Sequence, residues 1–121
     1  RIVEFNAQDM ANTVWSFACV GWAESEILLQ LGTAAAECRD DLNDTQKSQL
    51  YQVALYVRAE LPDLEFPLSA DLASLRAAYT GCEARPSELQ RDISALLEEL
   101  GWRHTFEYVT AEGFSLDLAQ P

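Results

Sequence analysis

The residues best suited to chemistry are a lone histidine, a strand-borne carboxylate, two tryptophans and one asparagine. Asp117 lies in "FSLDLA", where Phe114, Leu116 and Leu118 alternate with Ser115, Asp117 and Ala119. A carboxylate there can ligate Mg²⁺, but metal-assisted hydrolysis needs several carboxylates converging on the ion. No second acid stands at a fixed spacing from Asp117, so its ordinary role is that of a solvated strand residue. His104, the only histidine, alternates with aromatics in "WRHTFEYV". With no second histidine or cysteine beside it, a half-buried, hydrogen-bonded ring is the better reading than a ligand or a base. Trp15 and Trp22 carry rings that can stack on nucleobases. They share a helical stripe with Ala11 and Ala18, a spacing that favours core packing. Asn12 is polar on an otherwise widely apolar helix. Buried polar groups must find partners, so Asn12 is expected to bond to a neighbouring helix rather than to read a base.

Cys19, Cys38 and Cys82 are far apart, odd in number and form no C-x-x-C pair. That pattern reads as small apolar residues buried on helices in a reducing compartment, not as a disulfide framework or a metal site. The acids of "ECRDDLND" lack the Asp/Gly spacing of a calcium loop and read as a solvated linker. No cofactor is implied.

Net charge is -12 over 121 residues. Arg1, Arg39, Arg58, Arg76, Arg85, Arg91 and Arg103 are scattered, and Lys47 is the only lysine. Without a basic stripe, these residues alone are poorly suited to grip a phosphate backbone. Hydrophobic residues make up 49% and charged residues 23%, which fits a globular core. No apolar run approaches the roughly 18–20 residues that cross a bilayer. The chain opens at Arg1 without a methionine, which suggests an internal piece of a longer protein.

The elements that position these residues follow from periodicity and caps. Asn6 caps a first helix that runs to about Val20 and stops at Gly21. Met10, Val14 and Phe17 form one stripe, and Ala11, Trp15, Ala18 and Trp22 an adjacent one. So wide an apolar face packs on both sides, as in a stack of repeats. A second helix over 24–38 turns Ile27, Leu28, Leu31, Ala34, Ala35 and Cys38 inward, with Gly32 allowing another helix to come close. Asn43 and Gln46 form a capping box for a third helix to about Glu60, ended by Pro62. Ser69 caps a fourth, with Leu72, Leu75 and Tyr79 inward, stopping at Gly81. Ser87 and Gln90 cap a fifth, with Leu89, Ile93, Leu96, Leu97 and Leu100 inward and Gly101 as its stop. The period then changes from 3.6 to 2. Residues 102–109 and 114–119 read as strands joined by "TAEG". Glu98 and Glu99 sit unfavourably at a helix C-terminus.

Two stretches resemble known families. "FNAQDMANTVWSFACVGW" is similar to the helix of an octotricopeptide-type repeat through Ala7, Gln8, Asp9, Ala11, Asn12, Trp15, Ala18 and Gly21. "QLYQVALYV" looks like the helix that follows such repeats, and "ELQRDISALLEELGWRHTFEYVTAEGFSLDLAQP" resembles the first half of a RAP domain. Together they cover nearly the whole chain. The resemblance implies a FAST-kinase-like organellar RNA-binding protein of a chloroplast or mitochondrion. Helix-pair, α-solenoid-like repeats over 1–82 would precede, over 83–121, the helix–hairpin start of an α/β restriction-endonuclease-like RAP domain. In that family a strand with Glu-x-Asp-Gly and then a histidine follow the Asp-bearing strand. Neither follows Asp117 here, so Asp117 stands only as a possible remnant of a nuclease-like site.

The expectation is therefore a mainly helical chain closing in an antiparallel hairpin, non-enzymatic as it stands. The resemblance implies single-stranded organellar RNA as partner, in transcript stabilisation, processing or translation. The acidic charge instead suits a structural subunit of a large organellar assembly, such as a ribosome or a photosynthetic or respiratory complex.

Overall fold

The computed structural model describes residues 4–21, 24–81 and 85–120. Among them, α1 (Ala7–Val20), α2 (Ser25–Glu37), α3 (Asp44–Glu60), α4 (Leu72–Thr80) and α5 (Glu88–Glu99) precede β1 (Thr105–Val109) and β2 (Ser115–Ala119). The chain is thus mainly helical with a small antiparallel sheet. It divides into two compact units, Arg1–Tyr79 and Thr80–Pro121. The boundary drawn from sequence between 82 and 83 falls outside the described residues.

In the first unit, reciprocal caps start the helices. The Asp9 N–H donates to Asn6 Oδ1 at 2.9 Å, and the Asn6 N–H donates to Asp9 Oδ2 at 3.1 Å. Asn43 and Gln46 repeat the arrangement at 3.0 and 2.9 Å. Each cap is worth about 1 kcal/mol. Gly21 ends α1 in the left-handed region at φ 65°, where its N–H reaches the Ala18 carbonyl.

α1 packs against both α2 and α3. Two side-chain bonds tie α1 to α3, each spanning 37 residues: Gln49 to Asn12 and Trp15 to Gln52. Because the partner on α3 advances with the partner on α1, the two helices run parallel. Their capping residues Asn6 and Asn43 are also 37 apart, the same offset as the two bonded pairs.

The core is built on Val14, Leu28, Leu50, Val53, Leu68 and Leu75, all essentially inaccessible. Tyr51 and Tyr79 add a tilted ring pair with centroids 5.2 Å apart. Gly32 admits a ring rather than a helix. A Cβ built there would lie 2.6 Å from Cε2 of Phe66, which comes from the segment between α3 and α4. Ser69 does not cap α4 as expected. Residues Ser69–Asp71 form a short 3-10 turn, the Ser69 hydroxyl donates back to the Phe66 carbonyl at 2.6 Å, and the α-helix begins at Leu72.

In the second unit, Ser87 and Gln90 cap α5 reciprocally. Gly101, at φ 74°, closes it: its N–H donates to the Glu98 carbonyl, and the Trp102 N–H donates to the Leu97 carbonyl. This double bond around a left-handed glycine reverses the chain toward the hairpin. β1 pairs with β2 in the register Thr105↔Ala119, Phe106↔Leu118, Tyr108↔Leu116 and Val109↔Ser115. Gly113 takes φ 96° in the connecting turn, and its N–H donates to the Thr110 carbonyl at 2.9 Å. β1 begins at Thr105 rather than Trp102, because the Trp102 carbonyl and the His104 ring are engaged with each other instead of with a neighbouring strand.

The buried side of α5 also differs from expectation. Helical periodicity puts Leu89, Ile93, Leu96 and Leu100 on the buried side of α5, yet they are exposed, and α5 has no fully buried residue. The helix turns the row Gln90, Ser94 and Leu97, one residue round, into partial burial instead.

Candidate interaction surface

The rows of α5 define the surface. At 3.6 residues per turn, residues spaced 4, 3 and 4 line one face. Leu89, Ile93, Leu96 and Leu100 have that spacing, and they are 67%, 42%, 60% and 74% exposed. Among the described helices, none of the others segregates its apolar residues as sharply. Single exposed leucines are ordinary, whereas a contiguous exposed apolar row is a candidate interaction surface. The adjacent row, also at helical spacing, holds Glu88, Asp92 and Glu99, all exposed. The face is therefore an apolar strip with carboxylates along one flank. Sequence reasoning found the strip but mistook it for core. The acidic row obeys the same spacing rule and could have been read beside it. Glu99, poorly placed with respect to the helix dipole, belongs to this row; Glu98 does not.

The other flank is occupied by the unit itself. Ser94 Oγ and His104 Nε2 are 2.8 Å apart, and His104 Nδ1 lies 3.0 Å from the Trp102 carbonyl oxygen. A carbonyl only accepts, so Nδ1 carries the hydrogen in neutral His104. Nε2 is then the acceptor, and the Ser94 hydroxyl donates to it. The imidazole ties the residue before β1 to the middle of α5. This is the half-buried, hydrogen-bonded histidine that its sequence surroundings suggested. Trp102, exposed, donates from Nε1 to Gln120 Oε1 at 2.9 Å and so braces the ends of the hairpin together.

Asp117 is exposed on β2. The register on either side places Glu107 opposite it, and Ser115 Oγ, on the same side of β2 as Asp117, donates to Glu107 Oε2 at 3.2 Å. Sequence reading missed Glu107 as a neighbour because the turn had to set the register first. Like charges across a ladder disfavour pairing, and Glu107 departs from strand geometry with φ 53°. Among the described residues, no group of three or more His, Cys, Asp or Glu side chains is gathered to hold a metal.

In the first unit, Trp15 is half-buried and its Nε1 donates to Gln52 Oε1 at 3.1 Å. Asn12 accepts from Gln49 Nε2 at 3.0 Å, so it bonds to a neighbouring helix, but it does so at the exposed edge of the α1–α3 seam rather than in a buried position. Trp22 and Cys82 lie outside the described residues. Cys19 is exposed and Cys38 half-buried, so Cys19 is not the core residue its type suggested; it falls on the outer side of α1 beside Val20. Arg39 donates to the Ala36 carbonyl at 2.9 Å and faces Asp71 Oδ1 at 3.5 Å, which fixes the "ECRDDLND" linker as a folded turn with Leu42 buried beneath it.

No described helix is long and apolar enough to cross a membrane. No family model matches the chain, and neither a curated protein nor a solved structure matches it significantly.

Proposed function

We propose that this chain is a non-enzymatic interaction module, a protein-docking subunit of a larger assembly. The observation that carries the reading is the open apolar face of α5 beside a row of carboxylates. An exposed strip of four large aliphatic side chains is costly in water, and a partner that covers it recovers that cost.

The acidic charge supports the same reading, because it suits basic protein surfaces better than phosphates. The side chains that an RNA-reading groove would use on α1 are engaged within the unit: Trp15 with Gln52 and Asn12 with Gln49. The resemblance to octotricopeptide-type repeats and a RAP domain supports a chloroplast or mitochondrial assembly as its setting. The parallel α1 and α3, offset by 37 residues, support the helix-pair repeat part of that resemblance.

The test is affinity purification of the full-length protein from its native source, with and without RNase. A fixed set of protein partners that survives RNase is the expected result. Enrichment of one or a few transcripts, with protein partners lost on RNase, would replace this reading with RNA binding.

A further inference from the structure

We infer that the open face of α5 docks an amphipathic helix of a partner protein whose apolar row is flanked by lysines or arginines. The inference rests on the interaction-module reading and specifies the partner.

The apolar row alone points to a helix. Leu89, Ile93, Leu96 and Leu100 follow the alternating 4–3 spacing of a helix–helix seam, in which each side chain enters a hole on the facing helix. The flanks then select the partner. On one side, Gln90, Ser94 and Leu97 are already half-buried within the unit, so this flank is closed. On the other, Glu88, Asp92 and Glu99 are exposed and border the strip along its length. In a seam of this kind, residues flanking the apolar row meet the flanking residues of the partner and set its identity. A basic flank complements three carboxylates.

The same rows exclude other occupants. An antiparallel second copy would set the acidic row against its own equivalent, carboxylate against carboxylate. A parallel second copy would set the acidic row against the Gln90–Leu97 flank, which its own unit occupies. An anionic membrane surface attracts helices whose polar face is basic, and this flank is acidic. A nucleic-acid backbone is repelled for the same reason.

The test titrates the intact chain against three synthetic helical peptides by fluorescence anisotropy. The first carries a 4–3 leucine row flanked by lysines. The second carries the same row flanked by glutamates. The third keeps the lysines but replaces the leucines with serines. The first is expected to bind at least about tenfold more tightly than either of the others. Leu96→Asp is expected to abolish that binding. The double variant Asp92→Lys, Glu99→Lys changes only exposed side chains, and it should reverse the preference toward the glutamate-flanked peptide.

Equal binding of the first two peptides would overturn the choice of a basic partner. Equal binding of the first and third would reduce the contact to unspecific charge. Unfolding by Leu96→Asp, or no binding of any peptide, would show that the strip is covered within the chain. Concentration-dependent dimerisation abolished by Leu96→Asp would assign the face to a second copy. In the native purification, RNase-resistant partners retained by the Leu96→Asp protein would overturn this docking face while leaving the interaction-module reading intact. Loss of protein partners on RNase would overturn that reading itself.

Discussion

α3 and α5 begin with the same device and meet opposite fates. Each opens with a reciprocal cap between a polar N-cap residue and a glutamine three positions on. α3 mixes polar and apolar residues loosely, yet it buries Leu50, Tyr51, Val53, Ala54 and Val57 among the surrounding helices. α5 separates the two classes cleanly and buries nothing completely. Amphipathicity states what a helix can bury; the rest of the chain decides whether it does. The first unit offers α3 the length of α1 and the Tyr79 ring of α4 to pack on. The second ties α5 to His104, just before the hairpin, and leaves only one narrow row of the helix half-buried. A two-stranded hairpin contributes little stability by itself, so the second unit has a surface to give and little to cover it with.

The largest expected effects lie in the first unit. Leu50→Ala should cost about 2–5 kcal/mol, the usual penalty for opening a cavity in a closed core. Hydrogen exchange is the suitable measurement, because it reports the two units separately. Protection lost in α1–α4 but kept in α5 would sharpen the contrast between the units.

Gly32→Ala comes next. Alanine is the better helix former by about 1 kcal/mol, so a free helix would gain. Here the new methyl collides with the Phe66 ring, and the net change should be a loss of about 1–3 kcal/mol. A gain in thermal stability would mean that Phe66 does not seat on α2.

Ser94→Ala should weaken the second unit by about 1 kcal/mol, since it leaves His104 Nε2 without its donor. Faster exchange at the start of β1, with the first unit unchanged, is the expected pattern. The smallest effect is a gain. Glu107→Asn relieves a positive φ, which asparagine tolerates better, and removes a carboxylate facing Asp117; about 0.5–1 kcal/mol of added stability should follow. Slower exchange of the hairpin amides would register it.

How much of this was legible in the sequence depended on range. Helix starts at Asn6, Asn43 and Ser87, and the stops at Gly21 and Gly101, follow from residues within one turn of each boundary. Cap chemistry is local, so sequence carries it. Ser69 failed because its hydroxyl chose the Phe66 carbonyl behind it over the helix ahead, a choice made by the buried Phe66 and Leu68. The Ser94–His104 tie joins residues ten apart, and it needed the left-handed Gly101 to fold the chain back. The 37-residue offset between α1 and α3 is set by packing, with Asn12 and Trp15 meeting Gln49 and Gln52 rather than similar residues. Periodicity identified the strip on α5 but not its solvent exposure, because a buried row and an open row have the same spacing.

The central claim is that this strip is surface in the free chain, and one measurement tests it most directly. Hydrogen exchange of the Leu96→Asp protein should show α5 and the hairpin protected to within about 0.5 kcal/mol of the unsubstituted chain, as for an exposed position. A loss of several kcal/mol across the second unit would show Leu96 to be core, and the open-face account would be wrong.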